Sequence, residues 1–319
     1  MYASDTSFVT LTNSGTEVAR LQLTHSNPVM KNNENRFLTY GIGSSSYEIS
    51  SFDETLYSGN AENKIYTGDV ASNGTYCLVT EDNGYLTTLY AYSKNNNRIY
   101  KYSFSEYYIT SVAINKDGSG CVATGVSSDK GSAVTGVYVL DFSQEKPVST
   151  YKISGDSVLD CKYLTSDTAV LVGSQASYIV KKGEKNYKTV SYEDKTLSNY
   201  CFNTDTSTYT MALSRSGDGR SVALISYNSN GEAQYTINTE HKADSLSVYK
   251  GTVAILDGNV VYGYNQKGDL LYSTNSGTGS KKIVLASDYT AYILSVNQIR
   301  FIDLDNVSSD DTAQTSKQE

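Results

Sequence analysis

Apolar residues recur at alternate positions in short runs along this chain, and the runs stop at clusters of Gly, Asn, Asp or Ser. A period of two argues for half-buried strands, and such clusters argue for the turns that join them. The clearest stretch runs Ile109-Thr110-Ser111-Val112-Ala113-Ile114, turns at Asn115-Lys116-Asp117-Gly118, and continues with Gly120-Cys121-Val122-Ala123-Thr124. A loop from Ser127 to Thr135 follows, then Gly136-Val137-Tyr138-Val139-Leu140-Asp141-Phe142, a turn at Gln144-Glu145-Lys146, and Pro147-Val148-Ser149-Thr150-Tyr151-Lys152-Ile153. Four short strands in this order predict an antiparallel meander. No segment sustains a 3.6-residue period, so helix is expected only as isolated turns.

The same order returns along the chain. Units start near Val29, Ile65, Ile109, Ser157, Leu197, Ser245 and Lys282, at separations of 36, 44, 48, 40, 48 and 37 residues. A four-stranded meander cannot bury its apolar face alone, and repeated meanders stack radially into a β-propeller. The expected fold is all-β, a seven-bladed propeller of four-stranded antiparallel blades occupying residues 1–305, with residues 306–319 as a disordered tail. Phe8–Thr12 and Glu17–Leu23 read as outer strands, and three runs between Lys282 and Asp303 read as inner ones, so the last blade is expected to be shared by the two termini. That sharing leaves one strand too many, which an eighth, incomplete blade would house.

Composition narrows the partners. With 26 basic against 34 acidic residues the net charge is −8, which supplies no basic footprint for nucleic acid. No run reaches the length of a membrane helix, and Met1–Thr10 lacks a basic and apolar leader, so membrane association is expected only through an anchor absent from this chain. Cys77, Cys121, Cys161 and Cys201 fall 44, 40 and 40 residues apart among apolar strand residues. That spacing fits neither a zinc site nor a redox pair and predicts reduced, inaccessible thiols that pack as small hydrophobes.

Ile114–Thr124 followed by Val137–Phe142 resembles the repeat of WD40-like, YVTN-like and PQQ-like bacterial propellers. The Trp-Asp and Gly-His signatures of WD40 repeats are missing. With Thr24-His25-Ser26-Asn27-Pro28 and Leu38-Thr39-Tyr40-Gly41, the whole pattern is most similar to an uncharacterised bacterial propeller family, a domain of unknown function. The resemblance implies an extracytoplasmic location, tethered by one N-terminal helix in the full-length protein, and no known activity.

No motif specifies catalysis, and no cofactor is expected. Quinone-binding propellers carry Trp in each repeat, whereas this chain has none. Neither Asn203–Ser207 nor Ser216–Gly219 completes a calcium loop, and Gly277–Lys282 lacks the glycine-lysine-hydroxyl order of a phosphate loop. Adjacent acids such as Asp53-Glu54 and Glu193-Asp194 would point to opposite faces of a strand. His25 and His241 both follow an outermost strand, which places them on one rim as solvated loop residues or, less readily, as ligands. The 29 tyrosines depart most from average composition, and Tyr100, Tyr102, Tyr107 and Tyr108 cluster at one blade edge. Tyr rings suit sugar or peptide binding.

These observations predict a non-enzymatic interaction module that binds protein or cell-wall glycan through one rim, with His25, Tyr107, Tyr108, His241, Asp218 and Arg215 as contacts. The alternatives are a polysaccharide hydrolase or lyase and a scaffold of an envelope complex.

Overall fold

The structure, a computed structural model, describes residues 1–12, 14–215 and 220–305. The tail at 306–319 and Asp218, one of the expected contacts, lie outside them. Every regular element among the described residues is a strand. The strands form eight consecutive antiparallel sheets, the blades of a β-propeller. Blades 1 to 5, apart from the final residue Ser191 of blade 5, belong to a compact unit ending at Val190, and blades 6 to 8 to a second unit that starts at Ser191. Blades 2 to 8 begin at Pro28, Ile65, Tyr108, Val158, Thr196, Ser245 and Ser280, each within two residues of the start expected from the repeats.

Eight blades correct the expected seven, and the shared last blade is corrected with them. Tyr2 and Ala3 pair with Val9 and Phe8, which gives Ser7–Leu11 and Glu17–Gln22 an additional strand and a sheet of their own. At the other end Ser280–Ser287, Thr290–Ser295 and Ile299–Asp303 form a separate three-stranded sheet. A two-residue strand is too short to show alternation, so Tyr2–Ala3, which completes the first blade, is invisible to periodicity.

The expected loop from Ser127 to Thr135 is also corrected. Gly120–Asp129 and Ser132–Asp141 pair without interruption to Asp129↔Ser132, and only Lys130 and Gly131 turn between them, at φ 51° and 85°. Two successive left-handed residues make the tight turn whose twist matches a hairpin. The polar run Ser127-Ser128-Asp129 looks like a loop because the end of this hairpin is exposed on both faces.

Blades 3 and 4 show how the stack is held. On the two inner strands of each, aliphatic and thiol side chains meet, among them Val79, Val112, Ile114, Cys77 and Cys121. Farther out the same cluster turns aromatic, with Tyr100 and Phe104 on Arg98–Phe104 and Tyr138 on Ser132–Asp141. Blades diverge outward, and larger rings fill the wider gap. Because the inner strand of a blade is an edge, its free N–H groups need acceptors. Neighbouring blades provide them: Ile114 N–H donates to Asp69 Oδ2 at 2.9 Å, Val158 N–H to Thr135 Oγ1 at 3.1 Å and, in the second unit, Leu285 N–H to Ser247 Oγ at 2.9 Å.

Candidate functional site

A cleft of about 460 Å³ opens where blades 3 and 4 diverge. Tyr102 and Phe104 reach it from the outermost strand of blade 3, Glu106 and Tyr107 from the connection between blades, Tyr138 from the third strand of blade 4, and Tyr151 and Lys152 from its outermost strand Ser149–Ser154. Alternation places Tyr100, Tyr102 and Phe104 on the face of their strand turned toward blade 4. The rings are inclined to one another: Tyr102 and Tyr138 lie 6.0 Å apart at 51°, Tyr107 and Tyr138 6.2 Å apart at 71°, and Phe104 and Tyr138 4.9 Å apart at 73°.

Tyr107 is seated by two glycines. Gly125 and Gly136 face each other across the ladder of blade 4. A Cβ on Gly136 would fall 2.4 Å from the Tyr107 ring, and one on Gly125 would fall 2.9 Å from its Cβ. The bare backbone pair lets the ring lie against the sheet. Burial, reinforced by the carboxylate of Glu106, raises the phenols of Tyr102 and Tyr138, which stay protonated at neutral pH. Lys152 Nζ is held 3.1 Å from Asp129 Oδ2 on the long hairpin, and this pair raises the lysine above its ordinary value. The Tyr151 hydroxyl donates to the Glu184 carbonyl at 2.5 Å, and its ring meets Tyr187 edge-on.

The other expected contacts are placed differently. Tyr108, the first residue of its strand, is 53% exposed and does not line the cleft. His25 is buried, at 6% exposure, instead of solvated, and neither ring nitrogen has a hydrogen-bond partner among the described residues. Burial lowers its affinity for a proton, and nearby Glu48 offsets this only in part. Glu48 Oε1 accepts from both the backbone and the hydroxyl of Thr24. Arg215 is exposed, and its N–H donates to the Ser221 carbonyl.

His241, in the second unit, stacks on Tyr262 at 3.6 Å, with Nδ1 3.7 Å from Asp257. Beside it a notch of about 470 Å³ is lined by Arg220, Glu240, Lys242, Asp244, Asp257 and Gly258. It mixes both signs of charge and has no aromatic wall.

Sequence reasoning singled out Tyr102 and Tyr107 but missed Phe104, Glu106, Tyr138, Tyr151 and Lys152 as their neighbours. The glycine pair was a usable signal, because glycine inside a strand marks a place where another group approaches closely. A second group it missed lies on inner strands of the first unit. Lys31 Nζ is 3.9 Å from Asp160 and Lys162 Nζ is 4.0 Å from Asp69, while the Ser111 hydroxyl donates to Asp160 at 3.1 Å. Burial opposes the charge on Lys31, yet Asp160 and Asp69 outweigh it and hold the group above its ordinary value. No cluster of three or more metal-ligating side chains occurs among the described residues. All four thiols are free, with Cys77, Cys121 and Cys161 buried and Cys201 half-buried rather than inaccessible.

A family model for a family of unknown function matches residues 2–304, a span that contains every described strand. The chain belongs to the DUF5711 family. A search of curated proteins gives no significant match to this DUF5711 chain. Among solved structures it is similar to the C-terminal WD40 domain of Sif2, with TM-score 0.61 and 16% identity over 85% of this chain and 79% of that one. It is also similar to a eukaryotic initiation factor, with TM-score 0.64 and 10% identity over 96% and 82% of the two chains. Hsv2 of Kluyvelomyces marxianus matches with TM-score 0.59 and 10% identity over 86% and 91%. At these identities the likeness shows the propeller fold alone.

Proposed function

We propose that this chain is a non-catalytic interaction module that grips a partner polypeptide in the tyrosine cleft between blades 3 and 4, in an extracytoplasmic setting. The observation that carries the reading is the cleft itself, an aromatic-walled opening on a rigid pair of blades. Aromatic side chains that combine large contact area with few rotors are the usual anchors of protein recognition. Glu106 is the one carboxylate among the lining residues, whereas glycoside hydrolysis uses two. The inclined rings form walls for a side chain instead of a flat platform for a sugar.

The test is affinity capture from an envelope extract with the wild-type chain, a Tyr102→Ala/Tyr151→Ala variant and a His241→Ala control, each checked for an unchanged melting temperature. The reading expects a protein retained by wild type and control and lost by the cleft variant. Equal retention by all three would reject the cleft, and selective retention of glycan would reject the polypeptide.

A further inference from the structure

We propose that the tyrosine cleft is a receptor for an organic cation, the guanidinium of an arginine, the ammonium of a lysine or a quaternary ammonium group. This inference rests on the cleft reading above and names its ligand class. Tyr102 and Tyr107 stand at 51° and 71° to Tyr138, and all three line one opening. Each ring face carries the negative lobe of its quadrupole, and faces inclined around one space attract a cation that none would hold alone. Glu106 brings a carboxylate to the same opening, where it also acts electrostatically on Lys152. The cation already present, Lys152, is drawn to Asp129 at 3.1 Å on the long hairpin. The chain as a whole carries a net charge of −8, which favours encounter with cationic groups.

Gly125 and Gly136 make this arrangement specific. They hold Tyr107 at the opening without touching a ligand, so a methyl at Gly136 displaces a wall from behind.

The test uses choline and its neutral isostere 3,3-dimethyl-1-butanol, titrated into the whole chain labelled with ¹³C at the tyrosine ε positions and assigned by substitution. The expected result is saturable choline shifts at Tyr102, Tyr107 and Tyr138, with binding of the isostere weaker by about tenfold or more. Glu106→Gln should weaken choline several-fold and Gly136→Ala more strongly, while Lys152→Met, which removes the competing cation, should strengthen it. Parallel titrations with N-acetyl-arginine amide and N-acetyl-lysine amide rank guanidinium against ammonium. Equal binding of choline and isostere, shifts confined to other tyrosines, or no shifts would each overturn the inference. The two readings fail separately: a partner lost on Tyr102→Ala/Tyr151→Ala with no choline shift leaves the cleft and removes the cation, whereas choline shifts with the partner retained remove the cleft as its docking place.

Discussion

Asp156, only 3% exposed, ties one turn of blade 5 to the strand that enters it. Its carboxylate accepts from the N–H groups of Ser157, Ser174, Gln175 and Ala176 and from the hydroxyls of Ser174 and Tyr178. Removing the acceptor strands several buried donors, each costly to leave unmade. Asp156→Ala should therefore destabilise the chain by at least about 3 kcal/mol in urea unfolding. Nothing in the local sequence marks Asp156 as buried, because the donors that surround it come 18 to 22 residues later. His25, expected as a solvated loop residue, is buried as well. Its folded-state proton affinity lies below the ordinary 6.5, through burial, so the unfolded chain takes up the proton first as pH falls. The stability it supports is complete above 6.5 and is lost as pH drops from there toward the folded-state value. Between about pH 7.5 and about pH 5.5 the wild type should lose more urea stability than His25→Gln. Identical pH slopes for the two proteins would sink this reading.

At the scale of elements, alternation located the four-stranded blades well, because each inner strand carries a buried face that any one-residue slip would expose. It failed at the hairpin of Ser127 to Thr135, where both faces are wet and no alternation is needed. What periodicity does not show is how strands with glycine stay packed. Tyr107 covers Gly136, and in blade 7 Tyr272 covers its cross-strand partner Gly263, where a Cβ would fall 2.1 Å from the ring. Gly263→Ala should cost about 1–3 kcal/mol by pushing the buried Tyr272 off its place, measured by the shift in urea midpoint. Thiol accessibility separates the strands further. Burial raises the thiol of Cys161 to about 12 and those of Cys77 and Cys121 well above 9.0. Cys201, half-buried, should label first with a thiol reagent in the folded protein, and the other three only on unfolding. Labelling of all four at one rate would contradict the described packing.

For the whole molecule, the repeats were legible and their number was not. Both ends carry three-stranded blades, and five visible terminal strands invited a single shared blade; Tyr2–Ala3, too short to carry a pattern, is the strand that forbids it. The candidate site was legible in the same partial way. The tyrosine cluster stood out in the sequence, but its other wall comes from Tyr138, Tyr151 and Lys152 in the next blade, which only the stacking brings to Tyr102 and Tyr107.

Partners are expected to engage this wall-to-wall cleft. A photoreactive phenylalanine at exposed Ser105 inside it, compared with one at exposed Ser58 on the outermost strand of blade 2, tests that directly. Mass spectrometry should find partner peptides joined at position 105, with arginine or lysine beside the cross-link and yield reduced by added choline. The same partner joined equally at both positions, or at position 58 alone, would contradict it.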